Sequence, residues 1–254
     1  MYTELSFIPI ESVPYPFDQS KIEFSCGFLA IRKNHLFIIT SAHAIKEGYK
    51  VRLVYDDITN TFPFPNFYYF NPSFIEVFQA TNIAKILSKI NENLQTQIKV
   101  KDDQLLFHPK YYMDLAVCEI PTNIKAFDNL EGSPNYGKEK LTIPIVSIIE
   151  PSQDETYSFS GIALNKDATK KSINHLVFDL ITINDLKFSH IEENYIYFKT
   201  NNQNNIMGCS GAPIFDHNGN LISMVIKREG NYIKGNYLKT LPVILDTESG
   251  EIKK

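Results

Sequence analysis

Apolar residues along this chain fall mainly into short runs separated by polar turns. Residues 24–31 and 35–40 are apolar, β-branched and aromatic, with only Arg32-Lys33-Asn34 between them, which predicts a β-hairpin. The second strand runs directly into Ser41-Ala42-His43-Ala44. A further strand is predicted over 51–55. Residues 56–71, rich in proline, asparagine and aromatics, predict a long loop carrying a short strand at 67–70.

Residues 74–93 break this pattern. Val77, Phe78, Ile83, Ile86, Leu87 and Ile90 recur at three- and four-residue intervals after Asn71-Pro72-Ser73, which predicts the one substantial helix, inserted between strands. The β pattern resumes at 104–107 and 113–120, where Pro121 ends it. Residues 122–140, with Gly132, Pro134 and Gly137, read as a connection between halves. Strands are then predicted at 141–149, 156–164, 176–183, 195–200, 212–215, 221–227, 232–238 and 241–245, with Asn218-Gly219 as a hairpin signal. Many short strands with frequent turns indicate an all-β barrel or sandwich, and periodicity alone does not choose between them.

Composition narrows the function classes. The 254 residues, 43% hydrophobic, suffice for one large domain or two small packed ones. Lysine plus arginine number 25 against 29 acidic residues, a net charge of -4, so there is no basic stripe for nucleic acid. The clusters Lys138-Glu139-Lys140 and Lys170-Lys171 read as solvated turns. The three cysteines, Cys26, Cys118 and Cys209, form neither a disulfide framework nor a zinc pattern, which fits a reducing compartment. The amino terminus lacks a basic start and a long apolar run, and no stretch has the length of a membrane span. The expectation is a soluble, cytoplasmic protein without membrane contact.

Candidate chemistry centres on Gly208-Cys209-Ser210-Gly211-Ala212-Pro213. A serine flanked by glycines on a sharp turn entering a strand suits a nucleophile, because glycine permits positive φ and close backbone approach. Its proton needs an acceptor, and an imidazole oriented by a buried carboxylate is the usual solution. His43 follows an apolar strand among small residues, and Asp114 opens the apolar strand 113–120. His35, His108, His175, His190 and His217 sit in contexts without such signals.

The order of Gly27-Phe28-Leu29-Ala30, Ser41-Ala42-His43, Asp114-Leu115-Ala116-Val117 and Gly208-Cys209-Ser210-Gly211-Ala212-Pro213-Ile214-Phe215 resembles the trypsin-like (chymotrypsin-fold) serine peptidases, especially compact bacterial domains related to the HtrA catalytic domain. The resemblance leaves about 56–103 unmatched, as a helical insertion in the first half, and implies two packed antiparallel six-stranded β-barrels, one in residues 1–125 with His43 and Asp114, the other in 126–254 with Ser210, whose chemistry needs no metal or organic cofactor. It implies that His43 is the general base, that Asp114 fixes its tautomer, that Ser210 forms the acyl-enzyme, and that the Gly208 and Ser210 N–H groups form the oxyanion hole. The implied function is a serine endopeptidase acting on protein or peptide substrates, narrow in specificity or activated by a partner. Asn204, six residues before the nucleophile, falls at the base of the implied specificity pocket, and 225–228, including Ile226 and Lys227, along its wall. Lys227 and Arg228 point to an acidic or polar substrate preference.

The sequence departs from the family's pattern at Cys209, which is aspartate in the secreted digestive members, and at Ala212. Three rival readings remain: Cys209 as the nucleophile, which lacks the glycine expected directly after it; an α/β-hydrolase, whose serine–acid–histidine order the chain does not follow; and a catalytically latent trypsin-like module that binds a protein partner, with the 74–93 segment as the docking surface.

Overall fold

The hairpin predicted at 24–40 forms where the pattern places it. In the computed structural model, which describes residues 3–14, 23–44, 49–54, 67–70, 75–78, 112–120, 122, 125–128, 134–164 and 178–248, Glu23–Arg32 pairs with His35–Thr40 from Gly27↔Thr40 to Arg32↔His35. Lys33 and Asn34 both take positive φ, 46° and 71°, the two-residue turn whose twist matches a β-hairpin.

Numbered in chain order, the strands of the first half are β1 (Ile8–Pro14), β2 (Glu23–Arg32), β3 (His35–Thr40), β4 (Tyr49–Val54), β5 (Phe67–Phe70), β6 (Ile75–Phe78), β7 (Tyr112–Ile120) and β8 (Thr142–Pro144). They form an eight-stranded sheet in the order β5-β4-β1-β2-β3-β7-β6, with β8 added parallel to β2. The second half contributes β9 (Tyr157–Leu164), β10 (Phe178–Glu192), β11 (Tyr195–Lys199), β12 (Pro213–Phe215), β13 (Leu221–Glu229) and β14 (Tyr232–Tyr237), closed into a barrel in the order β10-β11-β14-β13-β12-β9. A closed six-strand barrel beside a second sheet is consistent with the all-β double barrel that the resemblance implies.

β2 and β3 are apolar without alternation because both of their faces are covered. Phe28, Ala30, Phe37 and Ile39 pack with Leu241, Ile244 and Leu245, while Leu29, Leu36 and Ile38 pack with Ile8, Ile10 and Ile120. The core of the second barrel contains Phe159, Ile162, Ile196, Phe198, Ile214 and Ile233, and also takes Phe7 and Cys26 from the first half.

Three expectations are corrected, and one strand is added. Residues 75–78, placed in the predicted helix, form β6 and pair with β7 at Ile75↔Val117 and Glu76↔Ala116; residues 79–111, with the rest of that helix and the 104–107 strand, lie outside the described residues. Leu241–Glu248, read in part as a strand, is a helix. Pro242 is tolerated in its first turn, and Leu241, Ile244 and Leu245 are buried at helical spacing while Val243 is exposed. β1 was not anticipated. Lys140 is not solvated: its Nζ donates to Asp128 Oδ2 at 3.1 Å and lies 4.5 Å above the Phe7 ring, and burial draws its pKa down against the raising effect of Asp128.

Among the described residues, no helix is long and apolar enough to cross a membrane.

Candidate active site

His43 is placed by the end of β3. Thr40 Oγ1 donates to the Cys26 carbonyl at 2.7 Å, and the chain then turns through a short 3₁₀ segment, Ala42–Ala44, with Ala42 and Ala44 buried and His43 turned outward. The His43 side chain is 47% exposed, open enough to meet a bound molecule.

Asp114 is placed by an irregularity in β7. Ala116 pairs with Glu76 but Tyr112 pairs with Phe78, so residues 113–115 stand opposite Val77 alone. A bulge of this kind re-aims a side chain, and Asp114 has a φ of +48°, uncommon for a residue other than glycine. The side chain is buried. Its Oδ1 accepts the His43 backbone N–H at 2.9 Å and its Oδ2 lies 2.7 Å from His43 Nδ1. Asn236 Nδ2, from β14, donates to the Asp114 carbonyl at 2.7 Å.

Ser210 is placed by the turn between residue 206 and β12. Gly208 and Gly211 have φ of +105° and +90°, and a Cβ at Gly211 would overlap the Cys26 carbonyl oxygen. Only glycine fits there. The Cys26 N–H donates to the Ser210 carbonyl at 2.7 Å and the Gly211 N–H to the Val225 carbonyl at 2.8 Å, which ties the turn to both halves. The N–H groups of Gly208 and Ser210 have no partner among the described residues.

The three side chains predicted from sequence are thereby brought together. His43 Nε2 lies 3.1 Å from Ser210 Oγ, so hydrogen bonds run from Asp114 through the imidazole to the hydroxyl. Ser210 Oγ also lies 2.6 Å from the Ile226 carbonyl oxygen, to which it donates. The hydroxyl has one proton and two acceptors.

Cys209, adjacent to Ser210, points the other way. Its thiol is fully buried, donates to the Ile162 carbonyl at 3.3 Å and is pushed well above the usual thiol pKa by burial. Cys26 is buried beside the same turn, donates to the Gly208 carbonyl at 3.3 Å and is raised to about 12 by burial. An inward-facing, protonated Cys209 does not serve as a nucleophile.

The residues assigned to substrate binding occupy different settings. Asn204 is exposed and its backbone N–H donates to Asn202 Oδ1 at 2.8 Å. Ile226 presents its carbonyl to Ser210, and Lys227 is exposed and paired with Glu229 at 2.8 Å. Asn236 had no signal in the sequence: it is one polar residue in the short strand YIKGNY, and only the fold sets it against Asp114. Among the described residues, no group of three or more histidine, cysteine, aspartate or glutamate side chains is placed to hold a metal.

No family model matches the sequence, and no curated protein matches it. Solved structures do. The inactivated protease paralogue S-I1 of the scabies mite matches with a TM-score of 0.53 and 13% identity over 100% of this chain and 99% of that one. Its paralogue S-D1 matches with a TM-score of 0.54 and 14% identity over 98% and 94%. The serine protease of a human pathogenic astrovirus gives a TM-score of 0.44 at 13% identity, over 93% and 91%. The two mite matches, with the closed six-strand barrel beside a second sheet, show that the chain has the chymotrypsin-like fold. Both mite proteins are inactivated forms, so the likeness speaks to the fold, and chemistry must be argued from this chain's own residues.

Proposed function

We propose that this protein is a serine endopeptidase that cleaves peptide bonds through an acyl-enzyme on Ser210. The observation that carries the reading is the hydrogen-bonded series Asp114–His43–Ser210, with distances of 2.7 and 3.1 Å. Ser210 Oγ attacks the peptide carbonyl carbon while His43 Nε2 takes its proton; His43 then returns a proton to the departing amine. Asp114, bonded to both the ring and the backbone of His43, holds the tautomer with Nδ1–H and stabilises the imidazolium. The uncommitted N–H groups of Gly208 and Ser210 are the donors for the oxyanion, and each such donor is worth about 3 kcal/mol. Water then repeats the sequence on the acyl-enzyme.

The bond from Ser210 to the Ile226 carbonyl favours a second reading, a resting site that engages only when occupied. A substrate or partner N–H that takes the Ile226 carbonyl would leave the hydroxyl proton to His43. Labelling with a fluorophosphonate, followed by peptide mapping, tests the first reading. Modification of Ser210 that is absent in His43→Ala is expected; failure to label folded protein would leave the resting-site reading in its place.

A further inference from the structure

Two residues beyond Ile226, whose carbonyl accepts from Ser210, stands Arg228. Arg228 Nη1 donates to the Asn202 carbonyl at 2.6 Å, but its Nε and Nη2 are out of solvent and have no hydrogen-bond partner among the described residues. Among the described residues, no carboxylate lies within ion-pair distance of it. The neighbouring carboxylate, Glu229, is engaged by Lys227 at 2.8 Å and Lys234 at 3.9 Å. A buried guanidinium holds donors in a fork that fits a carboxylate, and leaving them unmade is costly.

The position of Arg228 says what could supply that carboxylate. β12 pairs with β13 only as far as Met224, whereas β14 pairs with β13 through to Glu229. Among the described residues, none pairs with 226–229 as a strand on the side from which Ser210 reaches the Ile226 carbonyl, so that edge is open. An extended peptide adds to such an edge by main-chain hydrogen bonds. Arg228 stands two residues along from Ile226, about 7 Å at strand rise, and its side chain crosses to Asn202 in the segment leading to the nucleophile. Its charge is also felt by the Cys209 thiol, one residue before Ser210.

We propose that Arg228 determines substrate class by binding the carboxylate of an aspartate or glutamate in the peptide residue whose carbonyl carbon Ser210 attacks. The assignment rests on the peptidase reading for its catalytic consequence, and on the free edge and the unpaired guanidinium for recognition. It replaces the exposed Asn204 as the residue that reads the substrate side chain.

The test compares peptide substrates that differ only at that residue, as Glu against Gln and Asp against Asn, on the wild-type protein and on Arg228→Gln. The acidic member is expected to show a kcat/KM about a hundredfold or more above its amide isostere, and Arg228→Gln is expected to bring the ratio near unity. Fluorophosphonate labelling of wild-type Ser210 separates the two claims, because that probe has no side chain to recognise. A labelled enzyme with no preference for acid, or a preference that persists in Arg228→Gln, overturns the role of Arg228 and leaves the peptidase reading standing. Should wild type fail to label, binding of the same peptides to Ser210→Ala, followed by calorimetry, decides: equal affinity for the acidic and amide members overturns the assignment, and tighter binding of the acidic member upholds recognition by Arg228.

Discussion

Asn236 in the second barrel and Asp114 in the first sheet are joined side chain to main chain: Asn236 Nδ2 donates to the Asp114 carbonyl at 2.7 Å, at a residue whose φ is +48°. A non-glycine residue in that region is held there by its surroundings. Asn236 is wholly buried, so removing its amide takes this hydrogen bond from the Asp114 carbonyl and loosens the hold on Asp114 beside His43. Asn236→Ala is expected to lower kcat about tenfold with KM unchanged and to cost roughly 1–3 kcal/mol of stability. Steady-state kinetics beside urea unfolding checks both; unchanged kcat in a destabilised but folded variant would reduce Asn236 to a structural residue.

Asp114→Asn should lower kcat/KM by about 10⁴, because an amide at this position favours the wrong imidazole tautomer. Ser210→Ala should abolish turnover while leaving the fold intact. Full activity in either variant would refute the proposed mechanism.

The three thiols should be inert in the native protein. Burial raises Cys26 and Cys118 to about 12 and lifts Cys209 well above its ordinary value. Near pH 8 a thiol of pKa 12 is thiolate in only about one part in 10⁴. Iodoacetamide is therefore expected to leave activity unchanged and to modify all three cysteines only after denaturation, as intact mass would show.

Lys140 and Asp128 are a buried pair, with side chains 1% and 2% exposed. Lys140→Ala should destabilise by about 3–5 kcal/mol, because it removes the cation that faces the buried Asp128 carboxylate. Lys140→Met combined with Asp128→Leu should cost less than the single change. Denaturant midpoints of the two proteins make the comparison.

Arg32 clasps Asp246 through two hydrogen bonds, 2.8 and 2.7 Å, and so fastens the C-terminal helix to β2. The guanidinium holds the Asp246 pKa below its ordinary value of 3.8. A carboxyl lowered in the folded state contributes stability above its unfolded pKa, and that contribution is lost as pH falls through the folded one. Acid titration of stability should thus show a loss below about pH 4, and Asp246→Asn should remove that part of the slope. An identical acid profile in the variant would count against the linkage.

What the sequence made legible follows from the range of each signal. The hairpin at Arg32-Lys33-Asn34 and the contexts of His43, Asp114 and Ser210 are local patterns of turn chemistry and small residues, and the structure places those three side chains within hydrogen-bond reach. The segment 241–245 was read as strand because a five-residue apolar run shows too little of its period; the helix emerges from what Leu241, Ile244 and Leu245 face. Lys140 looked solvated because its partner Asp128 is twelve residues earlier, beyond any local pattern. Asn236 matters through a contact 122 residues away in the chain, which no short motif encodes; Arg228 is legible as a basic residue beside Ile226, but its burial and its bond to Asn202 come only from the fold.

Phe7 lies in the core of the second barrel, and the helix Leu241–Glu248 lies against the first sheet. Each half is thus completed by a segment distant from it in sequence. On a ribosome, the first sheet would remain without its apolar cover until the last helix emerged, and Phe7 would wait for the 157–233 region before it could be buried. Such long sequence separations delay folding, and they keep Ser210 away from His43 and Asp114 until the strands of the second barrel have been made. If the proposed chemistry holds, the order of synthesis itself keeps a nascent copy silent beside its unfolded neighbours.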